Sequence, residues 1–128
     1  MFFPHSQNVK DLAQIIRRAE KTVDVCVFAF TNDILSEALA FVFSKGVRVR
    51  VISDDECSKF NGADIWRLGL LGVPCTTDNN KMAHMHNKYC LIDGQILITG
   101  SFNWTSQAVT TNQENLIILH DPQFVQEY

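Results

Sequence analysis

The segment CLIDGQILITG, residues 90 to 100, contains the clearest fold signal in this chain of 128 residues. Two apolar, β-branched runs flank Asp93-Gly94, and an Asp-Gly pair between such runs is typical of a two-residue β-hairpin turn. A further run of the same kind, ENLIILH, covers residues 114 to 120. The sequence therefore predicts a hairpin and one more strand in this half of the chain.

Toward the N-terminus, helical and extended patterns alternate up to residue 77. Apolar residues recur every three or four positions in the helical segments, and runs rich in Val and Ile separate them. In this part of the chain, the predicted elements are a helix capped by Asn8, a strand at 23 to 30, a helix at 34 to 43 ended by Gly46, a strand at 47 to 53, and a helix at 63 to 71. Near the C-terminus, Asp121 and Pro122 predict the start of a last short helix. This order predicts an α/β fold with a mixed β-sheet flanked by helices.

Composition and charge restrict the class of protein. The length suits one domain over residues 1 to 128, and 46% of the residues are apolar. The net charge of −3 lacks the global basic signature of a protein that coats nucleic acid, although it leaves room for a local basic groove. No stretch approaches the roughly 20 apolar residues that span a bilayer. We expect the four cysteines to be reduced and mostly buried, with a disulfide framework or a zinc site as the alternative.

His86 and Lys88 stand two residues apart, just before the predicted hairpin. Side chains at i and i+2 of a strand point to the same face, so the two should project together. A neutral imidazole can attack an electrophile and an ammonium can neutralise an anion, which suits a phosphate ester. For an isolated H-x-K pattern, two solvated residues at a strand end are the simpler explanation.

Three more polar residues return to the same edge of the predicted sheet. GSFN, residues 100 to 103, ends the second hairpin strand, so Ser101 and Asn103 could hold phosphate oxygens. Glu114 opens the next strand and could orient an imidazole by accepting its second N–H. Each residue alone has an ordinary explanation as a turn residue or a strand-edge charge. Asp93 heads the Asp-Gly turn on the opposite strand face, so we expect turn and scaffold hydrogen bonds from it.

Taken together, these residues resemble the phospholipase D superfamily. HNKYCLID, from His86 to Asp93, matches its H-x-K-x-x-x-x-D signature, and GSFN and Glu114 follow at the expected intervals. VRVRVISD, ILITGSFNWTSQAV and NQENLIIL are also similar to segments of this family. The resemblance implies an α/β/α sandwich and a phosphodiesterase that needs no metal or other cofactor. It implies catalytic roles for His86, Lys88, Asp93 and Glu114, with a phosphohistidine formed on His86.

In this family, a second histidine protonates the leaving oxygen and later activates water. The chain contains a single copy of the signature, and neither His5 nor His84 lies in a second copy. The resemblance therefore implies a homodimer in which two copies of His86 share one composite active site. It also implies that Lys88 and Asn103 bind the phosphate charge, that Ser101 positions it, and that Glu114 holds His86.

The resemblance also carries expectations about cellular location. Animal members with a single motif begin with an anchor that places them on the cytosolic face of the mitochondrial outer membrane, and they carry a Cys/His zinc-binding insertion. Here MFFPHSQ runs straight into the first predicted helix. We therefore expect this chain to lack both elements and to be soluble as given.

Two substrates are compatible with such a site. The first is single-stranded RNA, cleaved by an endonuclease of piRNA biogenesis, with Lys59, Lys81 or Arg67 as flanking phosphate contacts. The second is cardiolipin, hydrolysed to phosphatidic acid, with an apolar rim drawn from Met82, Met85, Phe102 and Trp104. Each of these residues also has an ordinary surface or core explanation. A phosphate-binding module without turnover is the third alternative.

Overall fold

A computed structural model describes residues 1 to 59 and 62 to 128 of the chain. In chain order the elements are β1 (Phe2–Phe3), α1 (Ser6–Ile16), β2 (Thr22–Val27), β3 (Phe30–Thr31), α2 (Asp33–Ser44), β4 (Arg48–Ser53), a 3-10 turn (Cys57–Lys59), α3 (Asp64–Leu70), β5 (Cys75–Thr77), β6 (Lys88–Ile92), β7 (Ile96–Gly100), β8 (Trp104–Thr105), α4 (Ser106–Thr110), β9 (Glu114–Leu119) and α5 (Pro122–Glu127).

Seven strands form one mixed sheet in the order β1-β9-β7-β6-β2-β4-β5. The strands β2, β4 and β5 run parallel because α2 and α3 connect them, whereas β6, β7, β9 and β1 join through antiparallel pairings. A separate parallel pair joins β3 to β8. The predicted α/β class with a mixed, helix-flanked sheet is confirmed.

The core lies between one face of this sheet and the first four helices. Alternate residues of β2 and β4 point into it, among them Val23, Val25 and Val49, all at most 3% exposed. Helix α1 adds Leu12 and Ile16, which are fully buried. Because the period of two in the strands meets the period of 3.6 in the helices, apolar residues from both kinds of element form one continuous cluster.

Helix α5 packs on the other face of the sheet. Asp121 caps it by accepting a hydrogen bond from Gln123 N at 2.9 Å, and Pro122 occupies the first turn, as the sequence predicts. Val125 is buried beneath the helix, and the Tyr128 ring lies 4.9 Å from that of Tyr89. Helices thus flank the sheet on both faces.

Two predicted local features differ in the structure. Helix α1 begins at Ser6 with His5 as its N-cap, because the Asn8 amide instead donates to the Phe2 carbonyl at 2.7 Å and ties β1 to the helix. The elements predicted from the sequence include no helix between residues 101 and 113, but the structure contains α4 there. Thr105 caps that helix by accepting from Ala108 N at 3.1 Å, and Val109 is buried.

Gly100 at the end of β7 allows the closest approach in the sheet. Its φ is +150°, and a Cβ atom there would lie 2.2 Å from the Asn115 carbonyl oxygen of β9. No side chain fits at this distance, so the backbones of β7 and β9 meet only if residue 100 is glycine.

Gly100→Ala should therefore lower the free energy of unfolding by at least about 2 kcal/mol, since backbone strain and a backbone clash add. The matched control is Gly94→Ala, because Gly94 has a φ of +62° and open space around the added Cβ, so it loses only about 1 kcal/mol. Urea unfolding of both variants checks this. Equal losses would show that the close approach is unimportant.

Candidate active site

The predicted nucleophile lies just before the strand rather than within it. β6 begins at Lys88, and residues 84 to 87 have no regular secondary structure. One hydrogen bond, from Phe28 N to Asn87 O at 3.0 Å, continues the pairing with β2 past the strand's start. The prediction that His86 belongs to the strand is therefore wrong, since the strand begins two residues after it. His86 is exposed and Lys88 half-buried.

The side chains of His86 and Lys88 nevertheless both lie against the ring of Phe28. The His86 ring centroid lies 4.7 Å from that of Phe28, and Lys88 Nζ lies 5.2 Å from the same centroid. Lys88 Nζ also donates to the His86 carbonyl. An ammonium over an aromatic face is stabilised by the ring quadrupole. Phe28 therefore stabilises the Lys88 ammonium and also contacts the His86 ring.

The Lys88 ammonium lies at a partly desolvated position near other ionisable groups. Burial lowers the pKa of its ammonium, while Glu114 and two nearby thiols, those of Cys57 and Cys26, oppose this change. The negative charge of Glu114 is thus close enough to act on Lys88. A partly desolvated ammonium interacts with an anionic ligand more strongly than one fully in water.

Ser101 and Glu114 form a second polar group at this edge of the sheet. Ser101 Oγ donates to Glu114 Oε2 and accepts a hydrogen bond from Asn115 N at 3.1 Å. Asn112 Nδ2 donates to Glu114 Oε1 at 3.1 Å. Within the single chain, the Glu114 carboxylate accepts from Ser101 and Asn112 and makes no hydrogen bond to His86, so its role in holding His86 stays a prediction.

Asn103 also lies at this edge. The next residue, Trp104, donates its N–H to the Ala29 carbonyl at 3.1 Å, which places this turn beside the end of β2 and next to Phe28. Asn103 is half-buried, and its Oδ1 is buried without a hydrogen-bond partner among the described residues. A buried amide with unused capacity is unfavourable in the free protein and suits a group that awaits a ligand.

Asp93 stands at the opposite end of β6, about 16 Å from Lys88 at 3.3 Å per strand residue. Its carboxylate accepts N–H groups of Glu20, Lys21 and Thr22 at 2.7 to 3.3 Å, and its φ is +56°. Asp93 thus joins the hairpin turn to the start of β2. The structure places it in the scaffold, away from the other residues of the signature.

The hairpin turn itself is one residue longer than predicted. Asp93 and Gly94 both have positive φ, and Gln95 N donates to Ile92 O at 2.9 Å. However, the strands pair Ile92 with Ile96, so the loop contains residues 93 to 95.

The predicted accessory residues fall into two groups. Lys59 and Lys81 are exposed, with Lys59 Nζ 3.9 Å from Asp55, while Arg67 pairs with Asp64 at 3.1 Å. Met82 is 93% exposed. By contrast, Phe102 and Trp104 are only 2% exposed, and Met85 is half-buried with its sulfur 3.2 Å from Cys26 Sγ. The prediction of Phe102 and Trp104 as an apolar rim is wrong, because both rings pack in the core.

Among the described residues, three aspartates lie close enough together to be potential metal ligands. Asp54, Asp55 and Asp78 present oxygens within 4.8 Å of one another, but both oxygens of Asp54 already accept hydrogen bonds from the protein. Within residues 1 to 59 and 62 to 128, no helix has the length and apolar character needed to cross a bilayer.

Two residues at the site were not predicted from the sequence. Phe28 was assigned to a buried strand, and Asp54 was given no role, although its position directly after the buried strand β4 is where polar functional residues commonly lie. Both act through contacts with residues more than 25 positions away. Sequence spacing alone carries no signal for such contacts.

Comparison with known families agrees with the architecture. Residues 12 to 128 match the family model described as cardiolipin synthase, PLD-like domain. The chain belongs to the phospholipase D superfamily. The resemblance inferred from the sequence is thereby confirmed.

Relatives within the superfamily cover this chain almost completely. The mitochondrial cardiolipin hydrolase of Chlamydomonas reinhardtii is 44% identical over 86% of this chain and 49% of its own length. The mouse protein of the same name is 37% identical over 95% of this chain and 55% of its own. The chain therefore spans about half the length of these relatives.

A solved structure gives the same fold. The phospholipase D family member Nuc from Salmonella typhimurium superposes with a TM-score of 0.87 at 26% identity, covering 98% of this chain and 84% of that one. An experimentally determined member of the superfamily therefore shares the fold of this chain.

Asp93 allows a test of the scaffold part of the signature. Burial raises the pKa of its carboxyl, but the three backbone N–H groups outweigh burial and hold the pKa below its ordinary value. Asp93→Asn keeps a residue that tolerates positive φ and removes the charge. We expect a loss of about 1–2 kcal/mol in the free energy of unfolding at pH 7.

The sign of the pH dependence follows from the lowered pKa. The stabilisation by Asp93 is fully present above the unfolded value of about 3.9 and is lost as the pH falls through the lower folded value. The difference from wild type should therefore shrink below about pH 4, whereas Asp11→Asn, at an exposed helix position, should show little difference at any pH. Urea unfolding from pH 3 to 7 measures both. A constant difference for Asp93→Asn would contradict the assignment.

Proposed function

We propose that the chain is a phosphodiesterase that uses His86 as its nucleophile and requires no metal ion. The observation that carries this proposal is that the His86 ring and the Lys88 ammonium both lie against the ring of Phe28. Ser101 and Asn103 lie at the same edge of the sheet. An exposed imidazole beside a partly desolvated ammonium can bind and attack a phosphodiester. Buried thiols offer little competition, since burial raises the pKa of Cys57 to about 11.

The reaction then proceeds in two balanced steps. A ring nitrogen of His86 attacks phosphorus, a P–N bond forms, and the P–O bond to the leaving group breaks as that oxygen takes a proton. Water next attacks the phosphohistidine, gives up a proton, and releases His86 as the P–N bond breaks. Lys88 and Asn103 stabilise the phosphate oxygens throughout, and Ser101 fixes their position.

The proton in both steps requires a second acid–base group. A twofold homodimer would supply it by placing His86 of the partner copy across the same phosphate, so that one imidazole attacks while the other donates a proton. The single copy of the signature and the exposure of His86 support this arrangement.

Single-stranded RNA is the first proposed substrate, in an endonuclease that contributes to piRNA biogenesis. The exposed Lys81 lies in the loop before His86, and the exposed Lys59 lies in the turn after Asp54, so both are proposed as contacts for flanking phosphates. The second candidate is cardiolipin, supported by the relatives named mitochondrial cardiolipin hydrolase and by Met82, an almost fully exposed apolar side chain in the loop before His86. On either substrate, association with mitochondria is part of the proposal.

A substrate comparison tests the function. In excess EDTA, the purified chain should cleave single-stranded RNA faster than single-stranded DNA or cardiolipin vesicles. His86→Ala should lower the rate at least about 10³-fold, because the covalent route is lost, while His120→Ala, at an exposed position outside the site, should keep it. Loss of cleavage in EDTA would contradict the metal-free mechanism. Cleavage of cardiolipin alone would select the second substrate.

Oligomeric state tests the composite site. Sedimentation should show a dimer at assay concentration, and adding excess inactive His86→Ala protein should lower wild-type activity by forming mixed dimers that hold a single nucleophile. An active species that remains strictly monomeric would be incompatible with a shared site.

A further inference from the structure

Asp54 has the most heavily bonded side chain near the site, yet the mechanism does not use it. Its carboxylate is completely buried and accepts four hydrogen bonds. Oδ1 accepts from Glu56 N at 3.0 Å and Cys57 N at 3.2 Å, whereas Oδ2 accepts from Met85 N at 3.1 Å and lies 3.2 Å from His84 Nδ1. Oδ1 therefore binds backbone N–H groups of the turn after β4, and Oδ2 binds the two residues just before His86.

Asp54 is an anion in the folded protein. Burial pushes the pKa of its carboxyl upward, but the hydrogen bonds from Cys57, His84, Glu56 and Met85 outweigh burial and hold the pKa below its ordinary value. A buried carboxylate with this many donors makes stronger hydrogen bonds than a neutral acceptor would. It can therefore fix an irregular segment that has no strand pairing of its own.

His84, which Asp54 binds, also contacts the Phe28 ring, against which His86 and Lys88 lie. The His84 ring packs edge-on against Phe28 at 5.5 Å between centroids. The Phe28 carbonyl accepts from Ser53 Oγ at 3.0 Å and from Asp54 N at 3.3 Å, and the Phe28 N–H holds Asn87. Residues 84 to 87 are thus held between Asp54 on one side and Phe28 on the other.

We propose that Asp54 is the positioning residue of this site: through His84, Met85 and Phe28 it sets where His86 and Lys88 stand. Asp54 itself touches no reacting atom. The inference rests on the proposed function for its catalytic consequence, although the placement of His86 can be measured without any activity. A nucleophile displaced by 1 Å loses about 10²-fold in rate, so a firm anchor is needed for an exposed imidazole outside regular structure.

The test uses three variants. Asp54→Asn keeps the shape but turns one acceptor oxygen into an NH₂ group that faces N–H donors. It should lower kcat by about 10²-fold with a smaller change in KM, because the reacting geometry is lost before substrate contacts are. His84→Ala leaves the Met85 bond in place and should cause a smaller loss. Asp55→Asn is the matched control, since the Asp55 carboxylate pairs with Lys59 instead of the segment before His86.

A spectroscopic measurement separates positioning from general stability. The Phe28 ring current should shift the ring-proton NMR signals of His86, and the chain has only four histidines to assign. We expect Asp54→Asn and, to a lesser degree, His84→Ala to move the His86 signals, while Asp55→Asn leaves them in place. Unchanged His86 signals in Asp54→Asn would overturn the proposal, as would a kcat loss matched by Asp55→Asn.

The experiments distinguish failure of the proposed function from failure of the positioning role of Asp54. If the wild-type chain cleaves no substrate, the proposed function fails while the NMR comparison still decides the placement of His86. If Asp54→Asn does not fold, His84→Ala decides the proposal, because the His84 side chain is 53% exposed and its removal should leave the fold intact. Unmoved His86 signals in that variant would then overturn the inference.

Discussion

The antiparallel register between β2 and β6 is the constraint on which the site depends. Val27 pairs with Lys88 and Val23 with Ile92, so all of β6 pairs in the opposite direction with the segment of β2 from Val23 to Val27. One end of β6 therefore meets Phe28 at the end of β2, and the other end meets residues 20 to 22 at its start. The spacing between Lys88 and Asp93 in the signature corresponds to the length of β6. A slip of one residue would turn every side chain of β6 to the other face and separate both ends from their partners.

The sheet order explains why the polar groups gather at one edge. Parallel strands β2 and β4 end there, antiparallel β6 and β9 begin there, and β7 ends there. Four of these strands contribute a polar residue at or just beyond this end: Asp54 follows β4, Lys88 opens β6, Ser101 follows β7 and Glu114 opens β9. The fifth strand, β2, contributes the aromatic Phe28. The mixed topology thus brings together residues that are distant in sequence, while the opposite edge holds Asp93 and the hairpin turn.

Much of this arrangement was predictable from local pattern. The hairpin around Asp93-Gly94, the alternation before it and the cap at Asp121 all depend on neighbouring residues, so spacing and propensity were sufficient. Asn8 was mispredicted as a helix cap, because its residue type suits a cap but does not show which group its side chain binds in the fold. Phe28 and Asp54 were missed for the same reason, since an aromatic residue in an apolar run and an acid after a strand have ordinary explanations until their distant contacts are known. The short helix α4 offered too few turns for a periodic signal.

The distribution of charge around Lys88 is compatible with the proposed anionic substrate, although the net charge of the chain is −3. Two carboxylates near His86 and Lys88 already accept hydrogen bonds from other groups. Asp54 binds three backbone N–H groups and His84. Glu114 binds Ser101 and Asn112. Neither accepts a side-chain hydrogen bond from Lys88, whose ammonium instead lies over an aromatic ring and donates to a carbonyl. Burial without a direct ion pair leaves that ammonium under-solvated, which lowers its pKa. In the proposed mechanism, a phosphodiester that reaches Lys88 would bring a negative charge into direct contact with this ammonium, so the desolvation of Lys88 would favour binding of an anion near His86.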